Sequence, residues 1–255
     1  RRMHQTATRL FQLFERLADE RVIGKESASI DRYVRRSLQK NGLTSAMVAY
    51  RGYPAHCSVS CNSIAVHGIP DARPIERGDV FTLDVAARGN GFVSDTAWSY
   101  LTPGCSERVR SEYRSAWSAF RALVGSLRPD ITISEIGRSA VTAAENNGLR
   151  IVPEFVGHGI GRELHEPPVV PFTLNNGATR LSAGVVVNIE PVYSTGNVEI
   201  ERQDDGWAYR LTDGSTSYHF ELTVEIGDME ATVMQLGGLP VSRLPDSPPF
   251  GALDY

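Results

Sequence analysis

Apolar residues recur with the 3.6-residue period of a helix in four segments of the chain, residues 10–17, 30–38, 113–127 and 136–144. This spacing predicts four amphipathic helices. Thr132 and Glu135 have the spacing of a capping box, which marks the start of the fourth helix. Asn41-Gly42 and Asn147-Gly148 end the second and fourth helices, because both residue types tolerate the left-handed conformation.

Runs rich in β-branched and aromatic residues predict strands after each helix pair. They lie near residues 45–50, 59–66, 80–87, 92–101, 149–153, 185–193, 198–201, 208–211, 218–226 and 230–234. Each half therefore has two helices followed by strands, and a weak repeat supports this division because both second helices end in Asn-Gly-Leu. We predict an α+β fold in one domain, residues 1–236, with related halves at about 7–101 and 106–234. A proline-rich tail, residues 237–255, is predicted to be irregular, either wrapped on the domain or loose.

Composition and charge exclude several classes of protein. The 255 residues include 26 Lys and Arg against 30 Asp and Glu, a formal net charge of −4, and 41% are hydrophobic. A disordered chain would be less apolar, and a nucleic-acid-binding protein would be basic. No apolar run approaches the ~18 residues of a membrane helix, and the first residues lack the apolar stretch of a signal peptide. The odd count of three cysteines predicts a reduced, cytoplasmic setting.

Four carboxylates stand in predicted strands where apolar residues are expected. They are Asp84, Asp95, Glu190 and Glu221, and no Arg or Lys lies in the same strand cores. A buried, unpaired carboxylate costs several kcal/mol, so a compensating charge is needed. Four negative charges equal the charge of two divalent cations. The pattern indicates a metal site, although any one of these acids alone would more simply face solvent.

Histidines add to this pattern. His158 and His165 lie in a segment rich in glycine and proline, residues 157–168, which we predict to be a loop, and His67 precedes Gly68. Carboxylates with imidazoles suit Mn, Fe, Co or Zn. The rival motifs are weak: the glycines lack dinucleotide-loop spacing, and neither HExxH nor a Gly-x-Ser-x-Gly elbow is present.

Taken together, the motifs resemble the methionine aminopeptidases of the bacterial short type (type I), members of metallopeptidase family M24. The resemblance spans about Ala7 to Met234. The matching motifs are Val66-His67-Gly68-Ile69-Pro70, Asp84 and Asp95 eleven apart, Gly157-His158-Gly159-Ile160-Gly161, Ile189-Glu190-Pro191 and Glu221. The family implies the pita-bread fold, in which two pseudo-symmetric halves pack helices on a curved, mainly antiparallel sheet.

The resemblance also implies a ligand set for two divalent metal ions (Co, Mn, Fe or Zn). Asp84 would chelate one ion, Asp95 and Glu221 would bridge both, and His158 and Glu190 would complete the other. A metal-bridging water would attack the carbonyl of the first residue, with Glu190 moving its proton.

Two histidines and an aromatic pocket complete the implied site. His165 would hydrogen-bond the developing oxyanion, and His67 would help protonate the leaving amine. The pocket for the first side chain would consist of Tyr50, Tyr53, Phe155, Leu164 and Trp207, although core packing explains Phe155 and Leu164 equally well. The sequence departs from the family pattern at Met47, Arg51, Ser58 and Leu222.

The implied function is removal of N-terminal methionine from peptides or nascent proteins. Two alternatives stay open: a metallohydrolase of the same fold acting on X-Pro or a specialised peptide, and a non-catalytic binding protein. We expect a cytoplasmic monomer, with the ribosome as a candidate partner and neither nucleic acid nor a membrane as a target.

Overall fold

The four apolar stripes form four α-helices in the structure, a computed structural model that describes residues 1–253 apart from the side chain of Ala18. The helices are α1 (Arg2–Arg16), α2 (Ala28–Lys40), α3 (Glu107–Gly125) and α4 (Ile133–Asn146). Each helix buries the stripe that predicted it. The capping box at the start of α4 is confirmed: the Glu135 N–H donates to the Thr132 hydroxyl, and the Thr132 N–H donates to the Glu135 carboxylate.

The second helix of each half ends in the same way. Gly42 and Gly148 follow α2 and α4 with φ angles of 66° and 68°. The next residues, Leu43 and Leu149, donate their N–H groups to carbonyls five residues earlier, at 2.8 and 2.9 Å. This is the Schellman arrangement, in which a left-handed glycine lets the chain satisfy the last carbonyls of a helix.

Short strands make up most of the remaining regular structure. They are β1 (Thr44–Ser45), β2 (Ser58–Cys61), β3 (Ile64–Val66), β4 (Val80–Gly89), β5 (Phe92–Leu101), β6 (Ile131–Thr132), β7 (Arg150–Ile151), β8 (Val156–Gly159), β9 (Glu166–Pro171), β10 (Arg180–Leu181), β11 (Val186–Ile189), β12 (Val192–Ser194), β13 (Ile200–Arg202), β14 (Tyr209–Leu211), β15 (Ser217–His219), β16 (Leu222–Ile226), β17 (Ala231–Val233) and β18 (Leu239–Pro240).

Two of the sheets carry the site described below. In the first, β4 pairs with β1, β2 and β5, and in the second the order is β18-β17-β16-β11-β8-β9. All pairs of named strands in both sheets are antiparallel. Helices beside mainly antiparallel sheets agree with the predicted α+β class.

The loop predicted for residues 157–168 is wrong at both ends, where the structure has β8 and β9. Gly157 and Gly159 lie within β8 because neighbouring backbone leaves no room for a side chain. A Cβ atom would overlap the carbonyl oxygen of Asn188 at the first position and that of Pro167 at the second. Close approach of another backbone is a common reason for glycine in a strand.

The extended segment predicted for residues 45–50 is also wrong beyond Ser45. The chain turns there, and Tyr50–Gly52 form a short 3-10 helix. Val48, one of the apolar residues behind the prediction, is exposed. The apolar pattern in this segment therefore did not reflect a buried strand.

The described part of the tail, residues 237–253, lies against the domain. The ring of Phe250 stacks on Trp98 with 4.4 Å between centroids. Leu101 and the tail exchange backbone hydrogen bonds, because its N–H donates to Gly251 and its carbonyl accepts from Leu253. Of the two alternatives for the tail, these contacts favour wrapping. The prediction that the tail is irregular is wrong at β18, which pairs with β17, and at Val241–Arg243, a short 3-10 helix. Asp254 and Tyr255 lie outside the described residues.

An aromatic cluster supports β5 from behind. Trp98 packs on Trp117 and Phe220, each with centroids 5.2 Å apart, and on Phe11 at 5.7 Å. Aromatic contacts of this kind fix ring orientation as well as burying area. The face of β5 opposite Asp95 is therefore closely packed.

Cys57, Cys61 and Cys105 are free thiols in the interior. None of the helices in the described part of the chain combines the length and apolarity needed to span a bilayer.

Candidate metal and catalytic site

The β4–β5 hairpin directs Asp84 and Asp95 to the same face of its sheet. Asp84 is paired with Ala97, and Asp95 with Ala86. Side chains alternate along a strand, so residues two positions apart share a face. The two carboxylates are therefore diagonal neighbours across the hairpin, where separations are about 7–8 Å or less.

The second sheet directs the other three predicted ligands to one face. Asn188 is paired with both Thr223 and His158. Glu190 is two residues beyond Asn188, and Glu221 is two residues before Thr223. By the same alternation, His158, Glu190 and Glu221 project from one side.

A seam between β5 and the start of β16 brings the two sets together. The Glu221 N–H donates to the Ala97 carbonyl at 2.8 Å, and Trp98 forms an isolated antiparallel bridge with Phe220. Coordinating atoms of Asp95, His158 and Glu221 lie within 4.8 Å of one another. All five residues predicted as ligands line one cavity of about 220 Å³.

Burial raises the pKa of every carboxylate in this cluster. Removal from water is the larger cause for each, and like charges on neighbouring acids add to it for Asp84, Glu190 and Glu221. For Asp95 the pKa is raised to about 7, with the Thr96 N–H partly opposing the shift. Among the ion pairs of residues 1–253, none joins these acids to Arg or Lys.

The hydrogen bonding of His158 determines which ring nitrogen can bind a cation. Its Nδ1 lies 2.9 Å from the Gly159 carbonyl, which only accepts, so Nδ1 carries the proton. Burial lowers the pKa of His158, which keeps the ring neutral. The Nε2 lone pair therefore faces Glu190 Oε1 at 3.2 Å. That oxygen is buried and has no hydrogen-bond partner within the described chain.

Two acceptors in direct opposition fit a cation between them. Together with the unpaired carboxylates, His158 and Glu190 form the kind of donor set that binds a divalent transition-metal ion. The residues present therefore fit the cation that the sequence pattern predicts.

His165 lies beside this cluster at the exposed side of the cavity. Its ring centroid is 4.2 Å from that of His158, and its Nδ1 is 2.8 Å from the Tyr50 hydroxyl. Burial is the main cause that lowers the pKa of His165 to about 4, and repulsion from His158, Arg51 and His67, the two histidines when protonated, adds to it. The ring is therefore neutral near pH 7.

His67 occupies another wall of the same cavity. Its backbone has a φ of 60°, an unusual value for a residue other than glycine. Its ring meets Phe155 edge-on at 6.1 Å, and burial lowers the pKa of His67.

Four of the five residues predicted for the substrate pocket line the cavity, namely Tyr50, Tyr53, Leu164 and Trp207. Tyr53 meets Trp207 edge-on at 5.1 Å. The structure does not bring Phe155 to the cavity lining. It packs behind His67 in a cluster with Val66, Val152, Val192 and Leu211.

The sequence analysis did not identify two polar residues that hold the acids. The Asn188 amide donates to Glu221 Oε1 at 2.7 Å, and the Gln235 amide donates to the Asp95 carbonyl at 2.9 Å. Asn188 was detectable by the same anomaly that marked the acids, a polar residue inside an apolar strand. Gln235 follows the three-residue strand β17 and shows no such signal.

Comparisons with known proteins identify the family of this chain. The pattern that describes metallopeptidase family M24 matches residues 1–228. A methionine aminopeptidase from Clostridium perfringens is 33% identical over 80% of this chain and 82% of its own length. Methionine aminopeptidase 1 from Bacillus subtilis is 31% identical over the same shares.

Solved structures show the same relationship. The methionine aminopeptidase from Thermotoga maritima superposes with a TM-score of 0.87 at 27% identity, covering 91% of this chain and 94% of that one. The prolidase from Pyrococcus furiosus shares the fold at a TM-score of 0.71, but this chain covers 62% of it. The chain belongs to metallopeptidase family M24, among the methionine aminopeptidases, and has their pita-bread fold.

Proposed function

We propose that this chain is a metal-dependent aminopeptidase that removes methionine from the N-termini of peptides and nascent proteins. The observation that carries the proposal is the cluster of four acids without Arg or Lys partners, opposed by the free lone pair of His158. The relatives named above bear the name of this activity.

Two divalent cations (Co, Mn, Fe or Zn) are assigned to five ligands: Asp84, Asp95, His158, Glu190 and Glu221. Two ions would balance the four carboxylates in charge. They would also stabilise the ionised forms, which burial otherwise disfavours.

When bound, such ions polarise a substrate carbonyl and make water nucleophilic at neutral pH. Glu190 is assigned the transfer of the proton from the attacking water to the leaving amine. Its Oε1 is a buried acceptor without a hydrogen-bond partner in the described chain. That oxygen is therefore free to accept a proton from water and to pass it on.

His165 is assigned as the donor to the carbonyl oxygen of the scissile bond. When the Tyr50 hydroxyl donates to Nδ1, the neutral ring carries its hydrogen on Nε2. That hydrogen can stabilise the negative charge that develops on the substrate oxygen. His67, kept neutral by burial, is assigned the contact with the amide nitrogen of the scissile bond, where it helps to protonate the leaving amine.

The pocket for the first side chain is assigned to five residues that line the cavity beside the acids, namely Met47, Tyr50, Tyr53, Leu164 and Trp207. Apolar and aromatic walls around a narrow space suit the unbranched, flexible thioether of methionine. We also propose that the protein acts as a cytoplasmic monomer, for which its three free, buried cysteines suit a reducing compartment.

The test is methionine release from Met-Ala-Ser peptides by protein loaded with Mn or Co, alongside metal analysis. Glu190→Gln is expected to reduce kcat by about 10²- to 10⁴-fold. The matched control is Glu145→Gln, an exposed glutamate on α4. Absence of turnover by metal-loaded protein would refute the proposal. Turnover of X-Pro substrates alone would favour the second enzyme class, and absence of any bindable divalent ion would favour the non-catalytic one.

A further inference from the structure

One positively charged side chain lies at the rim of the acid-lined cavity. Among the described residues that line it, Arg51 is the only Arg or Lys. Arg51 is exposed, whereas Asp95 and Glu221 below it are buried.

Arg51 has no carboxylate partner within residues 1–253. It takes part in none of the ion pairs formed there. Its guanidinium carbon lies 5.4 Å from the centre of the Tyr50 ring, a cation–π distance. The contact leaves the edge of the guanidinium, with its N–H donors, free to bind an anion.

The turn that carries Arg51 has a defined shape. Ala49 and Arg51 both have positive φ angles, 65° and 50°, which residues other than glycine rarely adopt. The Ala49 N–H donates to the Tyr53 carbonyl at 2.8 Å, and the Tyr53 hydroxyl donates to the Gly68 carbonyl at 3.1 Å. These bonds tie the turn to the segment that carries His67. Unusual backbone held in this way is a feature of ligand-binding sites.

The cavity therefore has a polarity, with acids at its base and a free cation at its rim. A peptide whose first residue reaches the proposed metal site at the base of the cavity extends its later residues toward the rim, past Arg51. We propose that Arg51 is a specificity-determining residue that selects peptides with a carboxylate downstream of the cleaved bond. This inference rests on the proposed aminopeptidase function. The carboxylate is either an acidic side chain at positions two to four or the C-terminus of a short peptide.

The experiment compares kcat/KM for C-terminally amidated Met-Ala-Ser-Ser peptides with Asp or Asn at position two, three or four. A second arm compares Met-Ala-Ser as free acid and as amide. The wild-type protein is expected to prefer Asp over Asn at one position, or the free acid over the amide, by about three- to tenfold. The preference should fall with added salt. In Arg51→Gln the ratio should approach one, and in Arg51→Lys it should be partly retained. Arg35→Gln is the matched control, because Arg35 is exposed on α2 and outside the cavity.

Three results would overturn the inference. The wild type could show no preference for a carboxylate in either arm. The preference could survive in Arg51→Gln. Arg51→Gln could lower kcat/KM equally for all peptides, which would mean that Arg51 acts through the charge it exerts on His165.

Failure of the aminopeptidase proposal gives a different result, namely no cleavage of any peptide. In that case, tryptophan fluorescence reports binding of the same Asp and Asn peptides, since Trp207 lines the cavity. Tighter binding of the Asp peptides that is lost in Arg51→Gln would support carboxylate recognition, and equal binding would overturn it.

Discussion

Glu221→Gln separates two effects of a buried carboxylate. In metal-free protein Glu221 repels the neighbouring acids, and in metal-loaded protein it is a proposed ligand of the ions. Glu221 is 2% exposed, and its Oε1 accepts a hydrogen bond from the Asn188 amide. Glutamine has the same shape and keeps an oxygen to accept that bond. The substitution therefore removes the charge and little else.

The magnitude follows from the spacing of the acids. Two unit charges 4.8 Å apart, the limiting separation of the Asp95 and Glu221 oxygens, repel by about 3.5 kcal/mol at an effective dielectric constant of 20. Proton uptake by one of the acids relieves part of this, so we expect Glu221→Gln to stabilise the metal-free protein by about 1–2 kcal/mol at pH 8. The melting temperature should rise by roughly 2–8 °C for a chain of this size.

The sign of the pH dependence follows from the raised pKa values. A carboxyl group whose pKa is higher in the folded state favours folding when it is protonated, and this stabilisation is lost as the pH rises through the folded-state value. For Asp95 that value is about 7. The benefit of Glu221→Gln should therefore be present at pH 8 and small at pH 5, where the wild-type cluster is largely protonated.

The assay is thermal unfolding in EDTA and in Mn²⁺ across this pH range. With Mn²⁺ the effect should reverse, because the variant loses a ligand and the wild type gains stability from binding. Glu225→Gln is the control, since Glu225 lies on β16 with a half-exposed side chain paired with His4. A lower melting temperature for Glu221→Gln than for wild type, in EDTA at pH 8, would refute the argument.

Three other outcomes are expected. Tyr50→Phe removes the 2.8 Å bond to the ring of His165 and should lower kcat about fivefold to tenfold; Tyr33→Phe, which loses a remote bond to a helix carbonyl, should leave kcat unchanged. Phe250→Ala should reduce the free energy of unfolding by about 2–4 kcal/mol in urea titrations, because its ring stacks on the core; a loss under about 1 kcal/mol would contradict the packing argument. Mn²⁺ should bind more tightly as the pH rises toward 7, since the ligands must lose their protons. If calorimetry shows the same Mn²⁺ affinity at every pH from 5.5 to 8, the raised pKa of Asp95 is contradicted.

Local chemistry made much of the fold and site predictable. Apolar stripes located all four helices, and the capping box of Thr132 and Glu135 fixed one helix start. The acids stood out because a carboxylate in an apolar strand needs compensation. The same logic would have found Asn188, which shares a strand face with Glu190.

What the sequence could not supply depends on contacts between distant segments. In the sequence Gly157 and Gly159 are typical of a loop. Only the tertiary structure shows that carbonyls of neighbouring strands lie too close to them for a side chain. The position of Arg51 at the cavity rim depends on a left-handed turn at Ala49. The sequence does not predict this turn, because the residue there is not glycine. Neighbouring residues in the sequence could not show whether Phe155 lines the pocket, because its packing behind His67 is set by the tertiary fold.

The seam between Ala97 and Glu221 has a consequence for how the two halves depend on each other. The hairpin of the first half supplies Asp84 and Asp95, and the second half supplies His158, Glu190 and Glu221. Ions held by both sets would act as a reversible cross-link, joining segments that are far apart along the chain much as a disulfide does. Neither half carries the complete set of donors. An isolated half would therefore lack a complete site.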